Sequence, residues 1–289
     1  MAEHKEIDDV TGVETTGHEW DGIKELNKPL PKWWLYVLYA TIIWSVGYWI
    51  AYPAWPLVSG YTEGVLGYSQ RATVADNIAQ ARAAQAETNT AIDKASLAEI
   101  KASPDLLQFA MAGGRAAFGD NCAPCHGRGA QGVGTYPNLN DDDWLWGGTL
   151  EAIHQTILHG VRGGGDEARL SDMPRFGLDQ ILTKEQISDA AEHVLALSGG
   201  EHEAAAAERG RTIYAENCAA CHADDGTGNV DLGAPDLADA IWLYGSSKAD
   251  IVKSIETGRG GVMPAWSGRL DENTIKKLTV YVHSLGGGQ

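Results

Sequence analysis

The chain has 289 residues, with 22 basic and 39 acidic side chains and a formal net charge of −17. That length allows more than one domain, since single cores stop growing at roughly 250–300 residues. The acidity excludes a nucleic-acid binder, which needs a basic face for phosphate, and directs attention to basic protein partners.

Residues 1–32 hold eight acidic and four basic side chains and read as a solvated polar tail. Residues 33–52, WWLYVLYATIIWSVGYWIAY, carry no charge. They match the ~20 residues that a helix needs to cross a membrane's hydrocarbon core. Trp33, Trp34 and Tyr36 at one end, and Tyr48, Trp49, Tyr52 and Trp55 at the other, sit where interfacial aromatic belts belong. Pro53 and Pro56 then stop the helix. The long polar lead and the lack of a small-residue cleavage site favour an uncleaved anchor over a signal peptide. Lys28 and Lys32 place the N-terminus in the cytoplasm. Residues 53–103 are alanine-rich, with Val74, Ile78, Ile92, Leu97 and Ile100 at loosely helical spacing, and predict one or two linking helices.

The remainder is an internal repeat. Gly114 and Phe118 precede one cysteine motif as Gly210 and Tyr214 precede another, at an offset of 96; Pro137-Asn138-Leu139 and Trp144-Leu145-Trp146-Gly147 recur as Pro235-Asp236-Leu237 and Trp242-Leu243-Tyr244-Gly245, at an offset of 98. Each copy ends on a helix with one apolar face. Thr183 and Gln186 form a capping box ahead of Ile187, Ala191 and Val194, and Asp271 leads into Ile275, Leu278 and Val282. The predicted units are therefore a tail (1–32), an anchor (33–52), a linker (53–103) and two repeats (104–200 and 201–289).

All four cysteines lie in Cys122-Ala-Pro-Cys125-His126 and Cys218-Ala-Ala-Cys221-His222. C-x-x-C-H is the attachment signature of c-type haem: two thiols one helical turn apart bond the macrocycle, and the adjacent imidazole falls under the iron. The duplication counts against a zinc or thioredoxin-like reading. Two covalent haem c groups are expected, with His126 and His222 as iron ligands. For the opposite axial position, Met173-Pro174 and Met263-Pro264 stand 47 and 41 residues after those histidines, in glycine-rich loops ahead of the last helices. Methionine there gives electron transfer at raised potential, whereas an open position would permit peroxide chemistry. Met111 is too close to its motif to serve, and His154, His159, His193 and His283 read as packing or surface residues.

A helix running into C-x-x-C-H, a methionine loop and a closing helix resemble the class I cytochrome c family. The resemblance implies an all-α fold: one transmembrane helix followed by two tandem class I cytochrome c domains. It also implies that Gly114 and Phe118, like Gly210 and Tyr214, pack against a last helix. The carbonyls of Pro137 and Pro235 would accept from the ligand histidines, and Trp144, Trp242, Arg162 and Arg259 would meet haem propionates.

The run Gly17-His18-Glu19-Trp20-Asp21-Gly22-Ile23, with Glu25-Leu26-Asn27-Lys28-Pro29-Leu30-Pro31-Lys32-Trp33-Trp34 and Tyr52-Pro53-Ala54-Trp55-Pro56, resembles more narrowly the dihaem subunit of cbb3-type cytochrome c oxidases. That resemblance implies a bacterial inner-membrane complex containing a catalytic haem–copper subunit and a monohaem cytochrome c subunit. The repeats would be periplasmic and receive electrons from a donor cytochrome c, with no catalytic site of the chain's own. A free-standing anchored shuttle is the alternative.

Overall fold

In the computed structural model, residues 6–286 are described; the first five residues of the tail and the last three of the second repeat lie outside them. The chain divides into two compact units, 1–84 and 85–289.

In the first unit the polar tail is a hairpin rather than a featureless lead, the one sheet among the described residues of an otherwise all-α fold. β1 (Thr15–Trp20) pairs antiparallel with β2 (Ile23–Leu26), Trp20 opposite Ile23. Asp21 and Gly22 between them both have positive φ, 47° and 85°. This is the primed turn whose twist matches the strands, and Asp-Gly is its usual sequence. The register slips between Thr15 and Glu19.

Helix α1 (Lys32–Ala51) follows, one residue earlier than expected, with none of its residues buried in the unit. A 20-residue apolar helix with no packed face is suited to lipid. The chain then folds back. The amides of Val65 and Leu66 donate to the Ile50 and Ala51 carbonyls, capping helix ends that would otherwise lack partners. Tyr48 stacks on both Trp44 and Tyr52.

α2 (Gln70–Lys94) begins in this unit and ends in the next. The second unit continues with α3 (Leu97–Ala102), started by a Ser96/Glu99 capping box, and α4 (Pro104–Asn121). α5 (Ala123–His126) and α6 (Leu150–His159) complete the first repeat's front, and α7 (Lys184–Leu197) is its last helix. The second repeat supplies α8 (Ala204–Asn217), α9 (Ala219–His222), α10 (Lys248–Thr257) and α11 (Glu272–His283).

Within the two modules the first and last helices pair across the repeats. α4 packs on α11, and α7 on α8. A Cβ at Gly114 would overlap the Lys277 carbonyl and Tyr281 on α11, whereas one at Gly210 would overlap the Asp189 carbonyl and His193 on α7. Glycine is required at both close crossings, as expected, but each lies against the other repeat's last helix. Phe118 meets Tyr281 and Tyr214 meets His193, with ring centroids 5.5 and 5.1 Å apart.

Two cores result. One joins Phe118, Ile153 and Ile157 to Ile275, Leu278 and Val282; the other joins Ile187, Ala191 and Val194 to Tyr214, Ile251 and Ile255. Each fully buried side chain of this size contributes about 1.5–3 kcal/mol. The boundary at 200/201 thus divides the sequence without dividing the fold. Ion pairs fasten α7 to both neighbours: Arg209 of α8 to Asp189 at 2.7 Å, and Lys248 of α10 to the buried Glu192 at 2.6 Å.

Candidate functional site

Each cysteine pair is set by a helix break. Cys122 ends α4 and starts α5, and Cys218 does the same between α8 and α9. The amide of His126 donates to the Cys122 carbonyl at 2.9 Å, and that of His222 to Cys218 at 3.0 Å. One turn therefore brings both thiols and the imidazole to the same side. Burial, with a smaller contribution from the paired cysteine, pushes the Cys122 and Cys218 thiols up to about 11.

Both imidazoles are tied at Nδ1, His126 to the Pro137 carbonyl and His222 to the Pro235 carbonyl, each at 3.0 Å. A carbonyl only accepts, so Nδ1 carries the proton and Nε2 keeps its lone pair for a metal. Burial lowers both histidine pKa values, against the smaller opposing effect of the proline carbonyls. Both shifts favour the neutral imidazole, the form in which a histidine can bind a metal.

The methionines come from the opposite repeats. Met263 packs into the core that holds Cys122, and Met173 into the core that holds Cys218. The loops that carry them are held by matching bonds. Met263 and Val161 exchange two backbone hydrogen bonds of 2.9 Å, and the Met173 amide donates to the Arg259 carbonyl at 3.2 Å. Gly160 and Gly258, both at positive φ, have no room for a Cβ beside the Met263 and Met173 carbonyls. Sequence order would pair Met173 with His126 and Met263 with His222; in the fold Met173 lies with the second cysteine motif and Met263 with the first.

A cavity of about 460 Å³ brings Met173, Cys218, Cys221 and His222 together with Phe176, Val194, Ile251, Ile255 and Trp242. Apolar walls, two thiols, one free imidazole nitrogen and a thioether fit a c-type haem. Arg162 and Arg259 both line this cavity, rather than one at each motif. Arg162 is pinned by the carbonyls of Gly261 (2.6 Å) and Ser171 (2.5 Å), and Arg259 lies over the Tyr244 ring, 4.4 Å from its centroid. Trp144 packs in the first core.

Met111 packs by α3 and α4 and accepts from the Ser284 hydroxyl at 3.2 Å. His193 lies on Tyr214 and His159 beside Glu167, 3.1 Å away. Sequence reasoning passed over Leu145, which reaches the second cavity from the first repeat. The duplicated Trp-Leu-aromatic-Gly run was the signal available for it.

The family model described as cytochrome C oxidase, cbb3-type, subunit III matches residues 109–194 and 205–282, and the N-terminal domain of cytochrome oxidase-cbb3, FixP, matches residues 12–59. The chain is similar to the cbb3-type cytochrome c oxidase subunit FixP of Azorhizobium caulinodans: 55% identical over 287 residues, 99% of this chain and 97% of the relative. The Bradyrhizobium diazoefficiens FixP is 53% identical over 290 residues and 100% of each chain. Subunit CcoP of Azospirillum brasilense is 53% identical over 292 residues and 99% of each chain.

Proposed function

The chain belongs to the cbb3-type cytochrome c oxidase subunit III family, a membrane-anchored electron-transfer family of cytochrome c modules, and we propose that it carries two haem c groups with crossed axial ligands. Cys122, Cys125 and His126 would hold one with Met263; Cys218, Cys221 and His222 would hold the other with Met173. The observation that carries this is the single cavity shared by Met173 and the second cysteine motif.

When bound, such a group supplies a reversible one-electron couple. The chain's own residues set its conditions. The proline carbonyls fix the imidazole tautomer and raise its basicity. Met173 and Met263 would hold the iron from their sulfurs, a ligand type that favours the reduced state. The apolar walls exclude water, and Arg162 and Arg259 offer charge to acidic groups at the second cavity's rim. With a histidine and a methionine holding each group, the iron would offer no open position to oxygen or peroxide.

The arrangement serves passage of electrons from a donor cytochrome c, through the monohaem subunit, to a catalytic haem–copper subunit. Helix α1 spans the inner membrane, with Lys28 and Lys32 on the cytoplasmic side and the haem modules in the periplasm. The test is Met173→Ala in the full-length chain. Two haems per chain should remain, because attachment depends on the cysteines, while the group at Cys218 and Cys221 alone loses its methionine absorption band. Retention of that band, or its loss at Cys122 and Cys125, would refute the crossed assignment.

A further inference from the structure

We propose that Trp146 and Arg169, both from the first repeat, position the second haem by clamping loop 229–235, which carries the Pro235 carbonyl that orients His222. The inference rests on the reading that His222 is an iron ligand, and adds two residues that lie outside the ligand set.

Loop 229–235 is a small closed turn. The Asn229 amide donates to the Ala234 carbonyl at 2.9 Å, the Ala234 amide returns at 3.0 Å, and the Gly228 amide ties the base to the His222 carbonyl at 3.0 Å. At its tip Gly233 has φ +60°, and a Cβ built there would overlap the six-membered ring of Trp146. The indole thus lies directly on the backbone two residues before Pro235.

Behind the indole stands Arg169, its guanidinium carbon 5.3 Å from the ring centroid. Arg169 is held in turn by α6: its Nε donates to the Thr156 hydroxyl at 3.0 Å and its Nη2 to the Ala152 carbonyl at 3.2 Å. It also feels the charge of Asp231 within the clamped loop. A planar cation stacked on an aromatic face is both attractive and directional.

The repeat shows that this is not a generic feature of the module. Thr135, with a Cβ, stands 98 residues before Gly233, and Tyr244, which answers Trp146, carries Arg259 on its ring instead. The clamp also joins the two haem sites. The Arg169 amide donates to the Gly160 carbonyl and its carbonyl accepts from Arg162, on either side of the Val161 that pairs with Met263.

The experiment is a redox titration of the full-length chain, resolving two one-electron components. Met173→Ala identifies the second haem's component as the one it displaces; a chain with a single haem, or one whose titration ignores Met173, overturns the ligand reading and this inference with it. With two haems established, Trp146→Ala and Gly233→Ala should each shift that same component while both haems stay attached. The shift should be about tenfold in the one-electron equilibrium constant, about 59 mV, comparable to losing an outer partner of a metal ligand. Trp146→Phe should stay near the parent. If both alanine variants leave the component in place, or displace the other one instead, the inference is wrong and Trp146 is only a packing residue.

Discussion

Asp143 faces Asp141 on its own loop and Asp236 and Asp239 from the second repeat; burial first, then these like charges, pushes its carboxyl up to about 6. The native state therefore holds this proton more tightly than the unfolded chain does, whose carboxyl keeps the ordinary value of 3.8. Stability from this group falls as pH rises from about 3.8 to about 6, and the full penalty applies above that. Asp143→Asn should then raise Tm at pH 7 and leave it unchanged at pH 4. Allowing for the group's half exposure, the gain is on the order of 1 kcal/mol, or about 2–4 °C for a unit of this size. Thermal denaturation at the two pH values checks it, and an equal effect at both would exclude ionisation as the cause. The aspartate run was visible in the sequence, but its like-charged partners 93 and 96 residues away were not.

At the scale of elements, the crossing of α4 with α11 and of α7 with α8 decides what can fold alone. Only the six residues from Ser198 to Glu203 join α7 to α8, and so short a connection favours antiparallel neighbours. With α8 taken by α7, helix α4 closes on α11. A chain ending after Gly200 would leave Gly114 and Phe118 without a partner face and the first haem motif without Met263. Residues 85–200, expressed in the periplasm, should not yield a methionine-ligated haem at Cys122 and Cys125, and should lack cooperative unfolding. A folded fragment with the methionine band would restore the tandem arrangement. Both last helices were legible from their caps and apolar periodicity, whereas their partners were not. Gly114 with Phe118 and Gly210 with Tyr214 present the same glycine–aromatic pattern, so the sequence offers no local mark of which last helix each one meets.

For the whole molecule, both repeats contribute to the charge of −17: residues 103–200 hold 13 acidic and 6 basic side chains, a net of −7, and residues 201–289 hold 13 and 8, a net of −5. An acidic surface steers a basic cytochrome c, and exposed charges are screened over ~8 Å at physiological ionic strength. Reduction of the chain by a basic cytochrome c in stopped flow should slow roughly tenfold between about 0.01 and 0.15 M salt. A rate indifferent to salt would show that charge does not guide entry. Asp141 and Asp143 are half-buried, whereas Asp142 is exposed. The run is thus a partly internal acidic contact rather than the free patch its sequence suggests, and Asp142→Asn is the substitution that isolates steering.

The sequence by itself determined the chemistry that depends on neighbours along the chain. One turn of helix places Cys122, Cys125 and His126 together, twenty uncharged residues make α1, and Asp21-Gly22 encodes a hairpin even though the acidic run around it reads as a tail. These are local consequences of helical pitch, side-chain transfer and turn conformation, and they need no distant partner. Tertiary structure alone decided which methionine packs beside which cysteine motif, which glycine faces which helix, and that Trp146 presses on Gly233. Duplication is the reason: two near-identical surfaces leave local pattern no means to choose between them, and the choice falls to the length of the chain that connects them.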